Sequence, residues 1–312
     1  MKHFPYIGSG PYCYANSFAM VLGEHAPSTA VIEFATSSPF GMQLVSGKIP
    51  FFDPYGWTPS AGFDHAIAAM GWKSTVLIGR DVDDAIARLK AELQKGPVFV
   101  GPVEMGHLRY QPGKEGPIGA DHYVVVLRIY DEQVELHDPQ GYPYASLPLG
   151  DFVTAWKAET VDYGAPFTMR TDFQRVQEVS EEEIIKRSIP AAAHWLSMSG
   201  AHDVQAGTVG NHEAAKTLAD MIEAGCTADL RDHLIHFAVR VGARRAADAA
   251  SCLSRIGYDS AARIMSNQAR LIGSIQHPLV VGDEAAAAAV LRALAPTYEE
   301  LKMALERDLQ AA

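Results

Sequence analysis

A cysteine, a histidine and an aspartate, remote from one another along the chain, have the types that nucleophilic chemistry uses. Cys13 follows a Gly-rich turn, Gly8-Ser9-Gly10-Pro11-Tyr12, and opens a run that reaches Leu22 and Gly23. Pro11 suits the first positions of a helix and Gly23 its end. Ala15, Phe18, Ala19 and Leu22 recur at i, i+3, i+4 and i+7, which predicts a buried stripe, with Cys13, Asn16, Ser17 and Met20 on another face. A thiol in a helix's first turn meets outward-pointing amides and the positive end of the dipole, both of which favour the thiolate. Its own amide is placed to donate to an oxyanion. The plainer alternative is a small apolar residue near a helix start. A phosphate cradle is a third, although GSGPYC matches neither the Walker pattern nor the Rossmann fingerprint.

A nucleophilic cysteine needs a base, and the base an orienting acceptor. Gly119-Ala120-Asp121-His122 opens an apolar run to Ile129, and Val134 to His137 returns after the polar turn Asp131-Glu132-Gln133. Antiparallel return brings the start of one strand beside the finish of the other, so His122 and Asp138 can be neighbours. The turn length leaves the register open. Alternation turns His137 to the face opposite Asp138, and Asp121 away from His122. The alternative is that His122 is a turn residue and Asp138-Pro139 an ordinary strand stop.

The elements that must position these residues change texture near residues 170–180. The earlier part reads as α+β. It has a strand at Val98 to Val100, helices from Ser60 to Met70 and from Asp81 to Lys95, and a sheet ending at Asp138-Pro139-Gln140-Gly141. Beyond it the strand signals vanish. Ser180 to Glu183 reads as a capping box, Asn211 and Asp283 as N-caps, Gly225, Gly242 and Gly257 as breaks, and Pro296 as the opening of a last helix. The expected domains are 1–175 and 176–312, the second an all-α bundle of about five to six helices.

The order of a cysteine on an N-terminal helix, a histidine at a strand start and an aspartate at the end of the next strand resembles the papain-like cysteine fold, especially its C39-peptidase-like branch. Within that group CYANSFAMVLG, GPVFVGPVEM, DHYVVVLRIYDEQVELHDPQG and the helical NHEAAKTLADMIEAG are similar to the butirosin biosynthesis protein H family. The resemblance implies a papain-like catalytic domain in which Cys13 is the nucleophile, His122 the base and Asp138 the orienting group. It also implies acyl transfer through an acyl-cysteine, from a carrier-protein thioester to a small-molecule amine. Papain-like peptidases place a glutamine about six residues before the cysteine as an oxyanion donor, and Ile7 stands there instead. Ser9, Tyr12 and Asn16 are candidates for the missing donor. The rival expectations are a cysteine peptidase or amidase, and a papain-like binding module without chemistry.

Composition narrows the partners. The 312 residues are 48% hydrophobic and 20% charged, which is globular, and 26 basic against 37 acidic residues leave a net charge of -11. That balance argues against general nucleic-acid binding. No apolar run is long enough to span a membrane, and the start lacks the apolar core of a secretory signal, so a cytoplasmic protein is expected. Cys13, Cys226 and Cys252 are too scattered for a disulfide framework or a cysteine zinc site, and no cofactor is expected. His202, His212, His233 and His236 lack an HExxH pattern or a carboxylate-rich helix, so no metal is assigned to them. Arg231, Arg240, Arg244, Arg245, Arg255, Arg263 and Arg270 outnumber the acids between them. They read as a solvated face or, more sharply, as a docking patch for an acidic carrier protein.

Overall fold

In the computed structural model, which describes residues 11–200 and 204–311, the chain begins with α1 (Cys13–Leu22), α2 (Thr29–Ala35), β1 (Gln43–Val45), β2 (Ile49–Phe51) and α3 (Pro59–Ala69). Then come β3 (Trp72–Ile78), α4 (Val82–Leu93), β4 (Val98–Glu104), β5 (Asp121–Tyr130), β6 (Gln133–Asp138), β7 (Tyr142–Pro148), α5 (Leu149–Lys157) and β8 (Thr168–Arg175). The remainder is α6 (Glu181–Leu196), β9 (Val209–Gly210), α7 (Asn211–Gly225), α8 (Ala228–His233), α9 (Val239–Arg255), α10 (Asp259–Ser274), α11 (Gln276–Val281), α12 (Glu284–Leu294) and α13 (Thr297–Ala311). The architecture is mixed α+β, with antiparallel sheets and a helical C-terminal region.

Two units divide this chain: Met1–Thr29 with Gly71–Glu178, and Ala30–Met70 with Val179–Ala312. The expected domains were continuous, 1–175 and 176–312; here residues 30–70 group with the helices. Two observations explain that grouping. β1 pairs antiparallel with β9 through Gln43–Gly210 and Leu44–Val209, and Gly242 lies flat against the Phe52 ring, where a Cβ would come within 2.5 Å. Gly242 is therefore a packing glycine inside α9 and does not break a helix.

The first unit is built on one antiparallel sheet in the order β3-β8-β4-β5-β6-β7. β5 is buried on both faces, as its apolar run requires. Val124 and Val126 join a core with Leu89, Leu136, Phe152 and Trp156. The alternate residues meet α1, where Phe18 stacks on Phe99 at 4.4 Å, Phe99 lies 5.4 Å from Tyr123, and the Ser17 hydroxyl donates to the Tyr123 carbonyl at 3.2 Å. The stripe expected on α1 is buried, and Asn16, Ser17 and Met20 on the other face are buried too. Cys13 and Val21 are the half-buried positions of the helix.

Other local readings shift. Asp138 to Gly141 is a tight turn that carries the sheet onward, since β7 pairs with β6, and so it does not end the sheet. The β5–β6 turn is two residues, Asp131 and Glu132, both in the left-handed region at φ 45° and 57°, which suits the strand twist. α3 begins with Pro59 behind Thr58, not with a Ser60 cap. Ser180, Asp81 and Asp283 each accept a backbone N–H as N-caps, at 3.3, 2.9 and 3.0 Å. Asn211 does not cap. Its Oδ1 accepts from the Met42 amide at 3.2 Å while its Nδ2 donates to the Leu196 carbonyl at 2.8 Å. The region after residue 176 holds more helices than expected, because the short α8 and α11 and a π-helical turn at Leu234–Ala238 subdivide it.

Candidate functional site

Cys13 is the first residue of α1, and the residue before it, Tyr12, sits in the left-handed region at φ 89°. The Tyr12 carbonyl accepts the Asn16 N–H at 2.9 Å, which closes the first helical turn around the cysteine. The helix is laid on β4 and β5 by Phe18 and Ser17, so its start falls beside the start of β5. There the Cys13 thiol hydrogen-bonds the His122 imidazole. His122 Nε2 in turn donates to Asp138 Oδ1 at 2.8 Å, which leaves Nδ1 as the ring nitrogen for the thiol. The structure thus brings together Cys13, His122 and Asp138.

Register makes the histidine and the aspartate meet. At the turn end of the hairpin the pairs are Tyr130–Gln133, Ile129–Val134 and Arg128–Glu135. A bulge at Leu127 then shifts the ladder, so the next pairs are Val126–Leu136 and Val125–His137. Continuing one step sets Asp138 opposite Val124, on the face of His122. Without the extra residue, Asp138 would oppose Val125 and point away from the imidazole. His137 takes the opposite face, as expected, and its Nδ1 accepts the Tyr144 N–H at 3.0 Å. Asp121 also points elsewhere and accepts from the Tyr163 hydroxyl at 2.5 Å.

Asp138 is completely buried and accepts hydrogen bonds from His122, Gln140, Tyr110 and Gln111. Oδ1 takes His122 Nε2 and, at 2.7 Å, the Gln140 amide. Oδ2 takes the Tyr110 hydroxyl at 2.9 Å and Gln111 Nε2 at 2.6 Å. Burial alone would push its carboxyl upward. The positive charge and hydrogen bond of His122, with the Gln140 and Tyr110 bonds, outweigh it and hold the group below its usual range. For His122, burial would lower the pKa, and it is outweighed by the charge and hydrogen bond of Asp138 and those of Cys13, so the imidazole is raised to about 10. The favoured state is a protonated imidazole between two acidic partners. Burial pushes the Cys226 thiol up and the Cys252 thiol up to about 12.

Tyr110 and Gln111 carry no signal in the sequence, because they reach Asp138 from the long connection between β4 and β5. Glu104 ties the neck of that connection. Its Oε1 accepts the Gly106 and Ile118 amides at 2.9 and 3.1 Å, and its Oε2 accepts the Gly119 amide at 3.0 Å and the Thr160 hydroxyl. Burial acts to raise the Glu104 pKa, but these hydrogen bonds prevail and lower it. Gly106 is obligatory at this neck, since a Cβ there would lie 1.9 Å from the Gly116 carbonyl oxygen.

The remaining candidates fall elsewhere. Ile7, Ser9, the Gly8–Gly10 turn and His202 lie outside the described residues. His233 donates to the Pro50 carbonyl at 2.8 Å and packs edge-on to Phe51. Among the described residues no group of three or more His, Cys, Asp or Glu is arranged to hold a metal ion. Arg245 is withdrawn from any surface patch. It is 7% exposed, and its guanidinium bonds Glu33 at 2.7 Å and Asp53 at 3.3 Å. Arg231 pairs with Glu284, Arg255 with Glu181 and Arg244 with Asp248, so acids distant in sequence or on the same helix cancel much of the expected positive face.

Comparison with known proteins places this chain in a family. A model of the YobF C-terminal domain matches residues 205–306. A protein of Bacillus subtilis (strain 168) named as uncharacterized protein YobF is 30% identical over 248 residues, which cover 78% of this chain and 79% of that relative. The chain belongs to the YobF family. Among the described residues no helix is long and apolar enough to cross a membrane.

Proposed function

We propose that the chain is a cysteine-dependent acyltransferase of papain-like, C39-like type, with Cys13 as nucleophile, His122 as base and Asp138 as the group that orients it. One observation carries this reading: a half-buried thiol at a helix start is hydrogen-bonded to an imidazole whose other nitrogen is held 2.8 Å from a buried carboxylate. The resemblance to the butirosin biosynthesis protein H family supports a thioester donor, carried by an acyl carrier protein, and an amine acceptor, in the cytoplasm.

The chemistry follows from the geometry. Cys13 Sγ attacks the acyl carbonyl carbon, and the carbonyl π pair moves to oxygen. Collapse of the tetrahedral intermediate expels the donor thiolate, which takes the proton from His122, and leaves an acyl-Cys13 thioester. The acceptor amine then attacks that thioester and gives its proton to His122. Collapse restores the Cys13 thiolate and releases an amide. Asp138 keeps the imidazole in the tautomer and orientation both steps need, and stabilises it when charged.

Intact-mass measurement after incubation with a simple acyl thioester tests this. The expected result is a single acyl adduct on Cys13, discharged faster by added amines than by water. Discharge by water alone at the same rate would convert the reading to a hydrolase, and absence of any adduct on Cys13 would overturn it.

A further inference from the structure

Asn16 stands three residues beyond Cys13 in the first turns of α1 and is only 2% exposed. Its amide nitrogen, Nδ2, is buried with no hydrogen-bond acceptor. An unmatched buried donor costs stability, and native proteins keep few of them. The packing does not call for an amide here, because Ala19 and Met20, its neighbours three and four residues along the helix, are buried apolar residues. A leucine, with the same branching at Cγ and no polar atoms, would avoid the cost.

The position suggests what the amide is for. Residues three apart on a helix are neighbours on one face. Helical Cα–Cβ bonds tilt toward the N-terminus, so the Asn16 side chain leans over the turn that carries the Cys13 sulfur. The backbone N–H of Asn16 is already taken by the Tyr12 carbonyl at 2.9 Å, and the side-chain amide is what remains to donate. The N–H groups at the start of a helix have no carbonyl within it and point outward over the same end. A buried unmatched amide thus stands one turn along α1 from Cys13, at the end of the helix whose N–H groups have no carbonyl within it.

We propose that Asn16 Nδ2 is an oxyanion donor, acting with the backbone N–H of Cys13 on the carbonyl oxygen of an acyl group transferred through Cys13. The proposal rests on the acyl-enzyme reading above and supplies a donor that the Ile7 position cannot. As the sulfur–carbon bond forms, the carbonyl π pair becomes a lone pair on oxygen, and the two N–H groups hold that charge. When the pair returns, the leaving group departs with the proton of His122.

Alkylation separates this role from a structural one. Iodoacetamide reacts with the thiolate by displacing iodide and develops no carbonyl oxyanion, so it needs the Cys13–His122 pair but not Asn16. Burst acylation by p-nitrophenyl acetate needs both. For Asn16→Leu and Asn16→Ala, acylation is expected to slow about 10²- to 10³-fold, while iodoacetamide alkylation stays within about twofold of the parent. Asn16→Leu is expected to melt at or above the parent temperature, because an unmatched donor has gone. Unchanged acylation in either variant, or acylation and alkylation falling together, overturns the role of Asn16 and leaves the Cys13 reading intact. If Asn16→Leu does not fold, Asn16→Ala is read by the same two rates. Failure of the parent protein to form any acyl adduct on Cys13 removes the acyl reading and this proposal with it.

Discussion

Each unit of this protein buries a cluster of charged groups, and the two clusters end differently. In the helical unit, Arg245 is held between Glu33 and Asp53, Asp53 accepts from Gln43 Nε2 at 2.7 Å, and Gln43 in turn accepts the Gly56 amide at 3.0 Å. Every partner in that series belongs to a loop, strand or helix being joined, so the cluster ties residues 30–70 to α9. In the sheet unit, Tyr110, Gln111, Asp138 and His122 form a similar series, but it terminates on the half-buried sulfur of Cys13. Buried charge by itself marks structure as readily as chemistry. Under the acyl-enzyme reading, the distinction lies in whether the last member is a nucleophile that a substrate can approach.

The comparison breaks most sharply at the sulfur. Under the acyl-enzyme reading, Cys13→Ser abolishes adduct formation from thioesters and leaves the unfolding midpoint in urea nearly unchanged; an adduct that persists in this variant would move the nucleophile elsewhere. Arg245→Met should do the reverse. It strands two buried carboxylates and is expected to cost about 3–5 kcal/mol in urea unfolding, while the folded fraction still reacts with iodoacetamide at Cys13. A midpoint unaffected by Arg245→Met would show that the cluster is not structural.

A smaller effect is expected from Asp138→Asn, up to about 10⁴-fold in acylation rate, with a shift in pH profile. The raised His122 pKa stabilises the fold at pH values below the ordinary imidazole range, and that contribution is lost as pH rises through about 10. The lowered Asp138 pKa acts in the opposite sense, present above the ordinary carboxylate value and lost as pH falls through the depressed one. The ion pair therefore persists across neutral pH and fails on its alkaline side near pH 10. Asp138→Asn should move the alkaline limb of the acylation rate downward, and an unmoved limb would mean that Asp138 does not hold the imidazole charged. The smallest effect belongs to Tyr110→Phe, which removes one hydrogen bond on Asp138. A loss of about three- to tenfold in acylation is expected, the kinetic equivalent of one hydrogen bond. A loss as large as that of Asp138→Asn would mean that Tyr110 touches the substrate.

How much of this was legible depended on the range of the interaction. Cys13 could be read because a helix start is announced within a few residues, by Pro11 before it and by the period of Ala15, Phe18, Ala19 and Leu22. His122 and Asp138 could be read as neighbours at one end of a hairpin, but the register stayed open, since a single bulge at Leu127 decides the face each occupies. Arg244 and Arg245 looked alike. Adjacent residues on a helix point about 100° apart, and carboxylates distant in sequence, Glu33 among them at 212 residues away, draw Arg245 inward.

Local chemistry, then, is written in the chain itself: which residues start helices, which runs alternate as strands, and which side chains could act as nucleophile, base or acceptor. These follow from backbone conformation and side-chain type over a few residues. Convergence is not written there. The shift in register, the neck tied by Glu104 that delivers Tyr110 and Gln111 to Asp138, and the membership of residues 30–70 in the helical unit all depend on contacts between distant segments. Their energies are set by the burial and hydrogen bonding of groups that only the folded chain brings together.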